Sequence, residues 1–213
     1  MAVEREAKYQ VLDQALFRRI AAMDHLGGFG LEHGGVVDIV TIYFDTPDLA
    51  LFRAGHAVRL RTMHDRTFLS LKGPSSIADE QIQERSEENV DTPEFSEKAL
   101  PQTADIVRLL PSLAARLHGL TLSASLRSAS RRALHHAMLG DTRVFEIACD
   151  TVVFTSPRAP GHRADAMELE IEQEAGSETR FRELMHVFEA LFAIVPRRAA
   201  SKYRDGLQAL GLI

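Results

Sequence analysis

The sequence has one cysteine, no tryptophan, three tyrosines, no long apolar run and no excess of positive charge. Each scarcity removes a class of function. A single Cys149 forbids an internal disulfide and a thiolate metal cage, and its apolar setting, Phe145-Glu-Ile-Ala-Cys149, is that of a small buried hydrophobe. This usage fits a reducing, cytoplasmic location. No segment approaches the roughly 20 apolar residues that span a bilayer, and the opening Met-Ala-Val-Glu-Arg-Glu does not resemble a signal peptide. No membrane association is therefore expected. A net charge of −5 argues against nucleic acid as a partner, so an anion must be captured by a local cluster. Also missing are the phosphate loop Gly-x-x-x-x-Gly-Lys-Ser/Thr, the dinucleotide fingerprint Gly-x-Gly-x-x-Gly and the zinc motif His-Glu-x-x-His.

What remains is 213 residues, 45% hydrophobic, without repeats or low-complexity linkers, which reads as one domain over residues 1–213. Eight strands are expected near 3–10, 37–45, 56–63, 66–73, 81–89, 125–137, 143–154 and 165–173, with gaps short enough for antiparallel hairpins. Helical patterns lie at 13–23 behind Asp13 as N-cap, at 94–118 with a break at Pro111, at 177–193 and after Ser201. Gly27-Gly28 and Gly34-Gly35 read as a flexible loop before the second strand. The adjacent His135 and His136 fall on opposite faces of a strand and are not expected to share a metal. Arg197-Arg198 reads as a solvated pair.

Strand side chains two apart share a face. On that rule Glu4, Glu6 and Lys8 lie together, as do Arg59 with Arg61, Ser70 with Lys72, and Arg85 with Glu87. Arg127 and Arg131 share a face, Glu146 and Asp150 oppose Phe145, Ile147 and Cys149, and Glu168, Glu170 and Glu172 oppose Met167, Leu169 and Ile171. An ordinary solvated sheet face explains any one strand. It explains the set poorly, because like carboxylates roughly 7 Å apart destabilise one another without a counterion. If eight strands close, a charged interior must stay wet and hold a ligand, while helices cover the apolar outer faces. A metal–polyphosphate complex carries both signs and satisfies both populations.

These residues also resemble a known family. Val3-Glu-Arg-Glu-Ala-Lys8 is similar to the Glu-x-Glu-x-Lys signature of the CYTH domain, the triphosphate tunnel metalloenzymes. The likeness continues in family order through Ile42-Tyr-Phe-Asp-Thr-Pro-Asp-Leu-Ala-Leu51, Val58-Arg-Leu-Arg61, Leu69-Ser-Leu-Lys-Gly-Pro74, Glu84-Arg-Ser-Glu87, Met167-Glu-Leu-Glu-Ile-Glu172 and Ser201-Lys-Tyr203. The resemblance implies an α+β fold: a closed eight-stranded antiparallel barrel with helices packed outside. It implies phosphate contacts at Lys8, Arg59, Arg61, Lys72, Arg85, Arg127 and Lys202, with Arg131 preferred over Arg132 by parity with Arg127. It implies a metal side of Glu4, Glu6, Glu168, Glu170 and Glu172, with Asp150 and Glu146 nearby, holding Mg2+ or Mn2+. Asn89 departs from the Arg-x-Glu-x-Glu often seen in the fifth strand.

The activity expected from this set is metal-dependent hydrolysis of inorganic triphosphate to pyrophosphate and phosphate. Lys8, Arg59 and Lys72 would hold the chain, and Glu4, Glu6 or Glu87 would orient water. The alternatives are an adenylyl cyclase, a nucleoside or thiamine triphosphatase of the same fold, or a polyphosphate-binding module without turnover. The scarcity of aromatic platforms leans towards an inorganic rather than an organic triphosphate. A homodimer is left open.

Overall fold

A computed structural model of the chain describes residues 2–77, 82–197 and 201–213. Alternating apolar and charged residues fold as strands β1 (Ala2–Gln10), β3 (Phe29–Asp45), β4 (Ala57–Met63), β5 (Arg66–Lys72), β7 (Gln83–Asp91), β8 (Ser123–Leu139), β9 (Thr142–Thr155) and β10 (Arg163–Gln173). Two short strands, β2 (His25–Leu26) and β6 (Ser76–Ile77), pair with β3 and β7. The long strands run antiparallel in the order β1-β10-β9-β8-β3-β4-β5-β7, and β1 also pairs with β7. That last pairing, Glu4 opposite Arg85, closes the sheet into an eight-stranded barrel.

Closure sends the charged faces inward, so the apolar faces need cover from outside. Helix α1 (Gln14–Ala21), capped by Asp13 as expected, and α5 (Glu178–Phe192), capped by Ser177, supply it over β1, β9 and β10. Phe17, Ile20, Phe181, Leu184 and Phe188 pack there against Tyr9, Phe145, Ile147, Cys149, Leu169 and Ile171. Each large side chain fully buried in this way contributes about 1.5–3 kcal/mol. Over β4 and β5 the cover comes from α3 (Thr103–Leu109), a 3-10 turn at Pro111–Leu113 and α4 (Ala114–Leu117). A short α2 (Ala50–Arg53) follows β3.

One end of the barrel interior is apolar rather than charged. There α6 (Lys202–Ala209), capped by Ser201, packs Tyr203 and Leu207 against Tyr43, Leu126, Val152 and Phe154. Gly206 makes this approach feasible: a Cβ on it would lie 2.5 Å from Leu126 and 2.7 Å from Phe154. Tyr203 stacks on Tyr43 at 4.6 Å, and its hydroxyl donates to the buried Asp45 at 3.0 Å. Asp45 in turn accepts from the backbone of Thr46, Leu51 and Phe52. This lock fixes the start of α6, and therefore Lys202.

Three expectations are corrected. Residues 29–36 belong to β3 rather than to a loop, because Gly34-Gly35 forms a bulge inside the strand, with Gly35 at φ 84°. Residues 94–102 are not helical, and regular helix begins only at Thr103. Arg197 is not merely solvated: its guanidinium donates twice to Asp205, at 2.9 Å each. Arg198 lies outside the described residues.

Candidate active site

The barrel interior holds a cavity lined by Glu4, Glu6 and Lys8 of β1, Arg59 and Arg61 of β4, Lys72 of β5, Arg85 of β7, Arg132 of β8, Glu170 and Glu172 of β10, Lys202, and the stacked Tyr43 and Tyr203. Within a strand the inward residues tend to one sign, as the alternation suggested. Across strands the signs meet, and most of these charges are paired rather than held apart.

Lys8 Nζ donates to Glu170 at 2.6 Å and contacts Glu6 at 3.0 Å. Burial alone would lower this ammonium, but Glu170 and Glu6 outweigh it and hold its pKa above the usual lysine value. Lys202 Nζ reaches Asp150 at 2.6 Å and Glu168 at 3.1 Å. Arg132 donates to both carboxylate oxygens of Asp150, at 2.8 and 2.7 Å, and reaches Glu170 at 3.0 Å. Arg59 pairs with Glu87 at 2.9 Å, and Lys72 sits between Glu4 and Glu87. Burial and the neighbouring Arg59 push Lys72 below the ordinary lysine value in spite of those carboxylates.

Two cations break the pattern. Arg61 has no carboxylate partner among the described residues; its only hydrogen bond there is a long one to Thr41 at 3.4 Å. Burial, Arg59 and Arg132 together push its pKa down to about 10. Arg85 likewise forms no ion pair among the described residues, and its Nε is buried without a hydrogen-bond partner. An unpaired buried guanidinium is costly unless an anion arrives to take it.

The carboxylates have matching orphans. Glu6 Oε1 and Glu168 Oε1 are buried without hydrogen-bond partners among the described residues. Glu172 forms no ion pair among the described residues, and burial together with nearby Glu4 raises its pKa to about 8. Asp150, Glu168 and Glu170 each offer an oxygen within 4.8 Å of the others. Hard oxygen donors with unsatisfied lone pairs are what Mg2+ or Mn2+ requires, so the residues fit such an ion.

Glu172 gives a pH prediction. Its folded pKa lies above the unfolded value of 4.5, so between about 4.5 and 8 the folded state holds a proton that the unfolded state has lost. Its contribution to stability is therefore present at low pH and declines as pH rises through that window. In chelator, Glu172→Gln should remove this decline; melting curves of parent and variant that stay parallel from pH 5 to about 8 would refute it.

Of the arginines expected in the bore, two are not there. The inward face of β8 carries Leu126, Ser128, Ser130 and Arg132, so Arg127 and Arg131 point outward together. Arg127 pairs with Glu97 at 2.5 Å, and Arg131 is exposed. Parity did link Arg131 to Arg127, but both lie on the wrong side, and Arg132 takes the inward place. Asn89 is exposed, opposite Ser70 of β5. Cys149 is buried in the outer core, with its thiol pushed up to about 12 by burial.

The CYTH domain profile matches residues 2–206. No curated protein sequence matches the chain. Among solved structures it is similar to the candidate adenylyl cyclase HpAC1 from Hippeastrum, described as having a dominant triphosphatase activity: 18% identity, 96% and 95% of the two chains covered, TM-score 0.67. A candidate adenylate cyclase from Bacillus halodurans aligns at 18% identity over 96% and 98% of the two chains, TM-score 0.59. The mimivirus capping enzyme triphosphatase aligns at 13% identity over 88% of each, TM-score 0.52. At these identities the solved structures establish the shared fold.

Proposed function

We propose, for a chain that belongs to the CYTH domain family, that the barrel interior binds inorganic triphosphate with a divalent cation and hydrolyses it to pyrophosphate and phosphate. The observation that carries this reading is the pair Arg61 and Arg85, which have no carboxylate partner among the described residues and line a cavity whose other cations, Lys8, Arg59, Lys72, Arg132 and Lys202, are ion-paired. Bidentate guanidinium–phosphate contacts would satisfy both. Arg59, Lys72 and Lys8, on the same wall, are placed to hold the remaining oxygens once their ion pairs exchange partners.

Hydrolysis needs a water oxygen to bond to a terminal phosphorus while the bridging P–O bond breaks and pyrophosphate departs. Positioning and charge neutralisation supply most of the rate in such transfers. Glu87 is engaged on both oxygens, by Arg59 and Lys72, whereas Glu4 and Glu6 each form their ion pair through one oxygen, which makes these two the carboxylates suited to orient that water. A Mg2+ or Mn2+ ion would be held by Glu6, Asp150, Glu168, Glu170 and Glu172. When bound, it supplies charge neutralisation at the phosphate oxygens.

The aromatic rings favour the inorganic substrate. Tyr43 and Tyr203, the aromatic residues that line the cavity, are stacked face to face and do not present a free platform between them for a base. Phosphate release measured with tripolyphosphate, ATP, GTP and thiamine triphosphate should be fastest with tripolyphosphate and absent in excess chelator. Full activity in chelator would refute the metal requirement; cyclic AMP formed from ATP faster than tripolyphosphate is cleaved would make the protein a cyclase.

A further inference from the structure

A second group of ligand atoms lies outside the set just described. The strand registers place Glu32 opposite His136, His136 opposite Glu146, and Glu146 opposite Glu172, so this row crosses β3, β8, β9 and β10 on the inward side. Just past β10, Glu174 stays beside β9, its backbone N–H donating to Val144 O at 3.0 Å. His136, Glu146 and Glu174 each offer one ligand atom within 4.8 Å of the others.

We propose that His136, Glu146 and Glu174 form a divalent-cation site at the rim of the barrel, distinct from the carboxylates of the bore and suited to a transition metal such as Zn2+. Three features carry this. The donor set mixes one imidazole with two carboxylates, which favours Zn2+ and its neighbours over Mg2+. The imidazole is held in place: it is 8% exposed, and its Nδ1 faces Glu174 Oε2 at 3.3 Å. Its Nε2 lies against Gly34, where a Cβ would come within 3.0 Å, so the β3 bulge leaves room for the ring and no more. The carboxylates are also short of cations. Arg132 reaches Glu146 only at 3.5 Å and spends its closer bonds on Asp150 and Glu170, while Arg143 is taken by Glu32 at 2.7 Å. Three protein ligands would leave a tetrahedral ion one open position for water. The adjacent His135 takes no part; it faces the other way, towards Ala21 O at 3.0 Å.

The test is a Zn2+ titration of the metal-free full chain against a competing chromophoric chelator, in the parent, His136→Gln and Glu174→Gln. It needs no triphosphate, so its outcome is independent of whether the bore hydrolyses anything. Glu174 is the more exposed ligand, so its variant keeps the fold if His136→Gln does not. Since loss of even an outer-shell partner weakens a metal site about 10–100-fold, each variant should lose one Zn2+ equivalent or bind it at least about tenfold more weakly. Metal-dependent triphosphate hydrolysis, if present in the parent, should persist in Glu174→Gln. Identical Zn2+ stoichiometry and affinity in the parent and Glu174→Gln would overturn the proposal and leave His136–Glu174 as a hydrogen-bonded pair alone.

Discussion

Replacing Asp150 with alanine is expected to destabilise the protein by about 3–5 kcal/mol, the usual result of removing one partner from a buried ion pair. Asp150 is fully buried and accepts two bonds from Arg132 and one from Lys202. Its carboxyl is held below the usual aspartate value: burial opposes ionisation, but Lys202 and Arg132 outweigh it. Without it, two cations from different elements, β8 and α6, face each other inside the barrel with only Glu168, Glu170 and Glu146 to neutralise them. The damage should reach α6, because Lys202 is its first residue and leads directly into the Tyr203–Asp45 lock. Chemical denaturation of parent and variant in chelator measures the difference. A loss under about 1 kcal/mol would place Asp150 in a solvated setting rather than in a buried ion-pair network.

The barrel was legible in the sequence because β4, β5, β9 and β10 alternate between apolar and polar or charged residues, and both faces of that alternation have a use in a closed sheet. Glu168-Leu-Glu-Ile-Glu172 is the plainest case: Leu169 and Ile171 join the outer core, while Glu168, Glu170 and Glu172 turn inward. The failures have equally local causes. Around Arg131 the chain reads Ser128-Ala-Ser-Arg-Arg132, where small residues occupy both faces and neither parity is marked by an apolar stripe. The early part of β3 was hidden by glycines, which signal a loop and a bulge alike. Pairing across the bore was out of reach for a different reason. Alternation assigns faces within a strand, but that Lys8 meets Glu170 while Arg61 meets no carboxylate among the described residues depends on ring order and register. The closing contact of β1 with β7 lies between segments some 80 residues apart in the chain, Glu4 and Arg85 among them.

Arg61→Ala should have the opposite signature to Asp150→Ala. It removes a guanidinium that Arg59 and Arg132 already disfavour, so the ligand-free variant should melt no lower than the parent. Catalytic efficiency on triphosphate should nevertheless fall by about 10^2–10^3, the loss seen when one preorganised donor to a charged transition state is deleted. Arg85→Ala should behave similarly, since its Nε is likewise unpartnered. A variant that is inactive and also unfolded would make these arginines structural. The separation of activity from stability is therefore the informative outcome.

If the barrel interior is a triphosphate site built on cations left unpaired by the fold, binding should depend on those cations even without turnover. Calorimetric titration of tripolyphosphate into the parent and into the Arg61→Ala/Arg85→Ala double variant, both metal-free, measures this. The parent should show saturable one-to-one binding. In a double variant that remains folded, affinity should be at least about 100-fold weaker, consistent with about 1.5–3 kcal/mol for each charged hydrogen-bonding partner lost. Equal affinity in the two proteins would contradict a site built on Arg61 and Arg85.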